Sequence, residues 1–463
     1  MNPRVFREYD IRGVAERDLD DAMVRALGQA VGAKAVGAKA VGAKAVGPVV
    51  VGRDCRLTSP RLFAALTDGI RAHAEVIDIG VVPTPVLYFA SYHLKPAAAV
   101  MITGSHNPPE DNGFKLMLAG KTLHGPEIAK LRDEVAALLD TPPAPATHAM
   151  SSRDVLGPYL ETAAGFLRIG PRRMRVVVDA GNGSGGPTAV ALYRKLGFEV
   201  VPLYCDLDGR FPNHHPDPTQ PENVADLIAT VARERAELGI ALDGDADRMG
   251  AVDATGRILW GDQLMILFGK AVLREQPGAG FVGEVKCSQA MYDELERAGG
   301  KVEMWKVGHS LIKARMAETG AALAGEMSGH MFFAHRWLGF DDGIYAGARL
   351  LELLSQGDAS LADLAAQLPV MINTPELRVD CPDELKFPLV AAVTARLRAD
   401  TAVLKVVDID GVRASFDGGW GLVRASNTQP ALVMRCEAIT EARLAEIRAT
   451  IDAHIAAARA QLA

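Results

Sequence analysis

Cysteines are scarce in this sequence, and it contains no long apolar run. The five cysteines are odd in number, lie far apart and form no C-x-x-C pair, which argues against a disulfide framework and against a cysteine zinc site. This usage favours a reducing compartment, so we expect a cytoplasmic protein. No stretch approaches the about 20 apolar residues of a membrane span, so we expect no contact with a membrane.

The sequence also lacks a block of basic residues. Its 50 lysines and arginines stand against 57 aspartates and glutamates, a net charge of −7, so we do not expect a nucleic-acid-binding protein. What is present is ordinary for a globular protein with a large core, because 49% of the 463 residues are hydrophobic and 23% are charged. An anionic ligand would need cations gathered locally.

Short apolar strands alternate with helical segments through most of the chain. In the first unit we predict strands at 48–53, 76–81 and 97–103. Alternation of this kind is typical of βαβ units and of a parallel or mixed sheet. After about Leu368, strands separated by glycine and aspartate turns precede a helix from Glu441, which favours a smaller α+β domain.

The expected fold class is therefore α/β. It comprises three successive α/β domains with mixed sheets and a smaller C-terminal α+β domain. A proline-rich connector at 141–145 closes the first unit. The predicted domains are 1–150, 151–256, 257–368 and 369–463.

A five-residue repeat, Val-Gly-Ala-Lys-Ala, occupies Val31 to Gly47. Its lysines do not form a Walker phosphate loop, because Lys39 is followed by Ala40 instead of serine or threonine. Five residues turn a helix by about 500°, so the lysines spiral around it instead of sharing a face. We expect a tolerated expansion in a surface helix or loop.

Three aspartates follow the apolar strand predicted at 238–242. Asp243, Asp245 and Asp247 alternate with other residues, so their carboxylates point to one side of an extended segment and need a cation. Oxygen ligands suit Mg²⁺ better than Zn²⁺. An EF-hand is excluded because its sixth position, normally glycine, is Arg248. The alternative is a solvated acidic turn.

A serine stands at the carboxyl end of the strand predicted at 97–103. The turn Gly104-Ser105-His106-Asn107-Pro108 places Ser105 where open α/β sheets bind their ligands. A serine in this position is more commonly a turn former or a helix cap. Its role therefore depends on the loops that accompany it.

Three further loops each allow two interpretations. The loop 325–330 carries Glu326 and Ser328 and suits either a polyol or an ordinary glycine turn. The loop 424–430 has the donors of a phosphate cradle, but also those of a capped turn. The glycines of 181–186 match the G-x-G-x-x-G pattern in form, and a tight strand-to-helix turn explains them equally.

Taken in order, four of these stretches resemble the α-D-phosphohexomutase superfamily, and most closely its bacterial phosphomannomutase/phosphoglucomutase branch. The resemblance covers the chain except for the repeat, and the four motifs that carry it are Thr103–Pro108, Asp243–Arg248, Gly325–His330 and Arg424–Thr428. It implies four domains around a central cleft, with the glycine turn at 181–186 purely structural. It also implies interconversion of the 6-phosphates and 1-phosphates of glucose and mannose, through a phosphoserine and a hexose 1,6-bisphosphate.

The resemblance assigns a role to individual residues. Ser105 would carry the phosphoryl group, and one of its phosphate oxygens would complete a Mg²⁺ shell formed by Asp243, Asp245 and Asp247. The other catalytic residues implied are His106, Lys115, Arg12 and Arg248, the first three as candidates for general acid/base work. The implied substrate-binding residues are Tyr9, Lys286, His309, Glu326, Ser328, Arg424, Ser426, Asn427 and Thr428.

Physical chemistry supports these roles, because phosphoryl transfer depends mostly on positioning and on neutralising phosphate oxygens. Lys115 could exchange a proton if burial and neighbouring cations lower its pKa. The implied small molecules are hexose phosphates, with Mg²⁺ as cofactor and glucose 1,6-bisphosphate as activator and intermediate. We also expect a monomer.

Three alternatives remain open. A phosphoglucosamine mutase shares the mechanism, although Met327 between Glu326 and Ser328 favours neutral hexoses. A Mg²⁺-dependent sugar phosphatase would use water in place of the second sugar hydroxyl. A non-catalytic sensor of hexose phosphates would tolerate loss of the Ser105 hydroxyl.

Overall fold

The computed structural model of the protein describes residues 1–37, 47–426 and 430–462, which contain four successive β-sheets. Helices accompany each sheet, and the fourth unit is the smaller α+β type. The architecture therefore confirms the expected fold class. No helix within the described residues is long and apolar enough to cross a membrane.

The first sheet is mixed and has the strand order β1-β5-β4-β2-β3-β7, with β6 paired to β5. Strands β2, β3, β4 and β7 run parallel, and β5 is antiparallel to both β1 and β4. Its elements are β1 Ile11–Val14, α1 Ala15–Asp18, α2 Asp21–Gly37, β2 Val49–Arg53, α3 Ser59–Ile70, β3 Val76–Val81, α4 Thr84–Leu94, β4 Ala98–Ile102, β5 Asp111–Leu118, β6 Lys121–Thr122, α5 Pro126–Leu139 and β7 Met150–Ser152.

The second sheet has the order β12-β11-β10-β8-β9, in which β8, β9 and β10 are parallel and the other two pairings are antiparallel. Strand β10 is fully buried, and the valines of β8 are buried beside it, as expected for strands covered on both faces. The elements are α6 Leu156–Phe166, β8 Arg175–Asp179, α7 Gly186–Lys195, β9 Glu199–Leu203, α8 Ala225–Glu234, β10 Leu238–Leu242, β11 Met249–Asp253 and β12 Ile258–Leu259.

The third sheet repeats this rhythm with the order β14-β13-β15-β16. Only the pairing of β15 with β16 is antiparallel in it. The elements are α9 Gly261–Glu275, β13 Gly280–Glu284, α10 Gln289–Arg297, β14 Lys301–Trp305, α11 His309–Thr319, β15 Leu323–Gly325, β16 Met331–Phe333, α12 Gly343–Ser355 and α13 Leu361–Ala366.

The fourth sheet is antiparallel throughout and has the order β17-β22-β21-β20-β19, with β18 also paired to β22. Two long helices pack on it. The elements are β17 Ile372–Asn373, β18 Leu377–Asp380, α14 Asp383–Ala399, β19 Lys405–Val407, β20 Val412–Phe416, β21 Gly419–Ala425, β22 Ala431–Ala438 and α15 Glu441–Leu462.

The chain begins with a short 3-10 turn at Pro3–Val5 and a turn in which Arg7 N donates to Asp10 O, and β1 follows at Ile11. One prediction about the first unit is wrong in part. The repeat is not merely a surface expansion. Residues 31–37 form the last turns of α2, and Val31 and Ala35 are buried in the core. Residues 38–46 lie outside the described residues.

The domain boundaries at 150, 256 and 368 stay predictions. Strand β7 continues the first sheet to residue 152, and β12 continues the second sheet to residue 259.

One apolar core joins the first three sheets. Residues as distant as Val50, Val176 and Phe281 belong to the same buried cluster, whereas the fourth sheet has a separate core that includes Val393 and Ile451. The first three units are thus packed into one block by apolar contacts.

Asp342 is a buried polar group within this block. Its carboxylate accepts hydrogen bonds from Tyr159 Oη at 3.0 and 3.1 Å and from Tyr345 N at 2.8 Å, so it caps α12 and ties α6 to it. Burial outweighs these hydrogen bonds and raises the pKa of Asp342 to about 7.

We expect the stability of the protein to fall as the pH rises from about 4 to about 7 because of this carboxyl. In that window the unfolded chain releases the Asp342 proton and the folded chain retains it, so ionisation favours unfolding. Asp342→Asn keeps an acceptor but cannot ionise. The unfolding temperature of this variant relative to the unsubstituted protein should therefore increase over this pH range. Asp342→Ala, which loses the acceptor, should be less stable at every pH; a constant difference for Asp342→Asn would contradict the assignment.

The contact between α2 and α3 depends on a glycine. A Cβ at Gly28 would lie 2.1 Å from Leu66 O, whereas a Cβ at Gly37, in the same helix, would meet none of the described residues within 4 Å. We expect Gly28→Ala to lower the free energy of unfolding by about 2 kcal/mol through overpacking. Gly37→Ala is the matched control and should be neutral or stabilising, by up to about 1 kcal/mol. Urea midpoints measure both, and equal effects would be inconsistent with the close packing.

Candidate active site

Ser105 lies directly after β4, which confirms that a buried strand delivers it to a turn. Its backbone is left-handed, with φ of +49°, and the residue is 2% exposed. The hydroxyl donates to Asp243 Oδ2 at 2.9 Å and lies 3.2 Å from His106 Nδ1. The serine of the first domain therefore faces the acidic loop of the second.

The acidic loop follows β10 and approaches the serine turn closely. A Cβ at Gly244 would lie 2.3 Å from Ser105 O, so only glycine allows this approach. The carboxylates of Asp243, Asp245 and Asp247 are completely buried, and one oxygen of each lies within 4.8 Å of the others. Burial, followed by the two neighbouring carboxylates, raises the pKa of Asp243 well above its ordinary value.

These aspartates suit a divalent cation. Asp245 Oδ1 and Asp247 Oδ1 are buried and have no hydrogen-bond partner among the described residues, which is costly unless an ion or donor approaches them. An all-oxygen donor set suits Mg²⁺. The loop is therefore a possible metal site and not a solvated turn.

Lys115 extends from β5 into the same cluster. Its Nζ donates to Asp245 Oδ2 at 2.7 Å and also to Asp247 Oδ2. Burial lowers the pKa of Lys115, but the two carboxylates more than offset this and raise it above its ordinary value. Proton exchange by Lys115 would require neighbouring cations that lower its pKa. Its neighbours here are carboxylates, so this requirement is not met.

His106 belongs to the serine turn, and Arg12 contacts that turn through Asn107. Burial, together with Arg248 and Arg12, lowers the pKa of His106 well below its ordinary value, so a neutral imidazole adjoins the serine hydroxyl. Arg12 donates to Asn107 Oδ1 at 2.8 Å and pairs with Asp10 at 2.6 Å. This ion pair suits the binding of phosphate better than the exchange of a proton.

His330 joins the acidic loop to the third domain, and the predicted site residues did not include it. Arg248 Nε donates to His330 Nε2 at 2.9 Å, so the imidazole proton is on Nδ1. That nitrogen lies 3.3 Å from Asp341 Oδ2 and 3.5 Å from Asp247 Oδ1. These three residues are close enough to share a metal ion, but a protonated Nδ1 cannot be a ligand.

The segment 307–309 collects contacts from three domains. Tyr9 Oη donates to Val307 O at 2.7 Å, Gly308 N donates to Glu326 Oε1 at 2.9 Å, and Val307 N donates to Asp410 Oδ2 at 3.0 Å. The ring of His309 is also 6.2 Å from that of Tyr9 and 5.7 Å from that of His330. This segment therefore connects the sugar loop with the metal cluster.

The sugar loop and the fourth domain meet near the same segment. Glu326 Oε2 accepts a hydrogen bond from Ser328 Oγ at 3.0 Å. Arg424 pairs with Asp410 at 3.1 Å, and Asp410 in turn accepts from Val307 N. These bonds bring the predicted sugar and phosphate loops together.

Two more predicted residues lie on this side of the molecule. Lys286 Nζ pairs with Glu376 at 3.2 Å, and Ser426 O accepts a hydrogen bond from Lys386. Burial lowers the pKa of Lys286, yet Glu284 and Glu376 raise it overall. Asn427 and Thr428 lie outside the described residues.

Sequence reasoning missed several residues that support the site. Thr84 donates to Asp245 Oδ2 at 2.6 Å, and Arg56 contacts the carbonyls of the serine turn. Asp341 and Asp410 link His330 and Arg424 to their neighbours. Of these residues, only His330 could have been identified from the sequence, because it is the last residue of the candidate loop 325–330.

Known protein families match the chain in four consecutive segments. The matching models describe phosphoglucomutase/phosphomannomutase alpha/beta/alpha domain I over residues 3–140, domain II over 158–256, domain III over 260–371 and the C-terminal domain over 376–454.

Individual relatives agree with this match. The phosphomannomutase/phosphoglucomutase of Pseudomonas putida is 44% identical over 96% of this chain and 94% of its own length, and the phosphoglucomutase of Neisseria gonorrhoeae is 42% identical over 96% and 95%. A crystal structure of a family protein from Burkholderia thailandensis superposes with a TM-score of 0.90 at 42% identity, covering 99% of this chain and 98% of that one. The chain belongs to the phosphoglucomutase/phosphomannomutase family, within the α-D-phosphohexomutase superfamily.

Proposed function

We propose that this enzyme interconverts the 6-phosphates and 1-phosphates of glucose and mannose, through phosphorylated Ser105 and a hexose 1,6-bisphosphate. The observation that carries the proposal is the 2.9 Å hydrogen bond between Ser105 Oγ and Asp243, one of three buried carboxylates around a possible cation site. A hydroxyl in that position can carry a phosphoryl group whose charge a metal and Arg248 neutralise.

In the proposed transfer, the bond between phosphorus and Ser105 Oγ breaks while a sugar hydroxyl forms its own bond to phosphorus. The sugar hydroxyl loses its proton, and Ser105 Oγ regains one. His106, 3.2 Å from that oxygen and neutral because of burial, is placed to exchange a proton there. Asp243, Asp245 and Asp247 would hold Mg²⁺, which supplies charge neutralisation of the phosphate oxygens when bound.

The remaining residues would bind the rest of the substrate. Glu326 and Ser328 offer oxygens to sugar hydroxyls. The phosphate that does not react would lie against a set of cationic and polar groups, for which we propose Arg424, Ser426, Asn427, Thr428 and Lys286, with Tyr9 and His309 beside the sugar. Since the bisphosphate must present each phosphate to Ser105 in turn, this second site has to accept either end of the sugar.

The glucose and mannose branch is supported by Met327 between Glu326 and Ser328, because this loop differs in the amino-sugar branch of the superfamily. The Pseudomonas putida relative is named for both hexoses, and the Neisseria gonorrhoeae relative for glucose alone. A phosphoglucosamine mutase, a Mg²⁺-dependent phosphatase and a sensor are the alternatives that the experiment has to distinguish. We propose glucose 1,6-bisphosphate as the activator; the monomeric state and the cytoplasmic location stay predictions for gel filtration and cell fractionation.

We expect the protein with Mg²⁺ and a trace of glucose 1,6-bisphosphate to convert glucose and mannose 1-phosphates to 6-phosphates, without releasing inorganic phosphate. Ser105→Ala should lose this activity by at least about a thousandfold, because it removes the hydroxyl proposed to carry the phosphoryl group. Ser151→Ala, on exposed β7, is the control. Preferred turnover of glucosamine 1-phosphate, or release of phosphate, would favour one of the alternatives, and an active Ser105→Ala enzyme would exclude the phosphoserine.

Asp245→Asn should raise the Mg²⁺ concentration needed for half-maximal activity and lower kcat. The change removes one charged ligand from a set of three and leaves the volume of the side chain nearly unchanged. Asp206→Asn, exposed in the same domain, should behave as the unsubstituted enzyme. An identical Mg²⁺ titration for Asp245→Asn would count against the metal loop.

A further inference from the structure

Arg56 is a fully buried arginine that sequence reasoning does not connect with the reaction. It follows β2, and its side chain has no exposed surface. The guanidinium donates to Ser105 O at 2.7 Å, Asn107 O at 2.6 Å and Asp111 O at 2.8 Å, and it also donates to Pro108 O. One side chain thus satisfies four carbonyls of the turn that carries the serine.

This arrangement constrains the conformation of Ser105. A non-glycine residue with a φ of +49° is held in a sparsely populated region of backbone space, so its surroundings must stabilise it. The planar fork of an arginine reaches several carbonyls in fixed directions, which a lysine ammonium cannot reproduce. The Arg56 guanidinium is therefore matched to this one turn geometry.

The guanidinium is enclosed on its other sides. Asp54 Oδ2 lies 3.2 Å from Arg56 Nε, and the ring of Phe211, from the second domain, lies 5.0 Å from Arg56 Cζ. A Cβ at Gly104 would lie 2.6 Å from Arg56 Cζ, so the serine turn packs directly on it. Arg56 thus contacts both domains that build the phosphoryl site and none of the sugar loop.

We propose that Arg56 is a positioning residue for phosphoryl transfer, which fixes Ser105 Oγ against Asp243 by holding the carbonyls of the 105–111 turn. This inference rests on the proposed function, because it assigns Arg56 to the phosphoserine of that reaction. Its guanidinium contacts backbone carbonyls of the serine turn and not the groups proposed to bind the sugar, so its effect should appear in the transfer step and not in substrate binding.

The test compares Arg56→Lys and Arg56→Met with Arg61→Lys. Arg61 also donates to backbone carbonyls of the first domain, Ala15 O at 3.0 Å and Leu19 O at 3.2 Å, but not to the serine turn. We expect both Arg56 variants to lower kcat by about a hundredfold, as for a misplaced reacting group, and to change KM less than about twofold. The rate at which Ser105 gains a phosphoryl group from glucose 1,6-bisphosphate, followed by intact-protein mass, should fall by the same factor. Arg61→Lys should change neither quantity.

Three results separate the possibilities. The inference is overturned if the Arg56 variants keep the kcat and the phosphorylation rate of the unsubstituted enzyme. It is also overturned if they lose glucose 6-phosphate binding, measured by calorimetry, together with transfer. Retained binding of glucose 6-phosphate together with slow phosphorylation of Ser105 supports the inference. Failure of the proposed function is seen separately, as the absence of mutase activity in the unsubstituted enzyme or its persistence in Ser105→Ala.

Discussion

The concentration of negative charge at the end of β10 is the constraint on which the rest of the site depends. Three carboxylates without solvent contact are costly to bury, and the cost is offset only if cations and donors from elsewhere in the chain approach them. Lys115 arrives from β5, Ser105 from the turn after β4, and Thr84 from the start of α4, so the first domain supplies the partners for a loop of the second. Close approach of the two domains is thus a consequence of charge as much as of apolar packing.

The acidic loop after β10 also contacts the third domain, through His330. Because Arg248 occupies the Nε2 side of that imidazole, its proton faces Asp341 and Asp247, and the tautomer is fixed by residues from two sheets. His309 stacks on the same ring, and the segment before it accepts Tyr9 from the first domain. The phosphoryl end of the site and the sugar end therefore share one hydrogen-bonded network and cannot be adjusted independently.

Local features of this architecture were predictable from the sequence, and long-range ones were not. Strand β10 was predicted at its observed bounds, because a buried strand of a doubly covered sheet is a continuous apolar run. Strand β5 was missed, since the alternation in Asp111–Leu118 mixes polar and apolar residues that are nearly all buried. The charge of the groups around Lys115 could not be predicted from the sequence either. Proton exchange required neighbouring cations, but antiparallel pairing of β5 with β4 places Lys115 among carboxylates of another domain.

The interfaces between domains differ in kind, and this difference bears on the chemistry. The first three units share one apolar core, so separating them would expose a large buried area. The fourth unit meets the third through a small apolar cluster of Val285, Trp420 and Leu422 and through polar bonds such as those from Arg413 to backbone carbonyls. When such an interface opens, water can solvate the guanidinium and the carbonyls, so each bond contributes only about 1.5–3 kcal/mol net. The half of the site that carries Ser105 is therefore rigidly built. The half that carries Arg424 is held by contacts that cost less free energy to break. This difference suits an intermediate that must turn around before its second transfer.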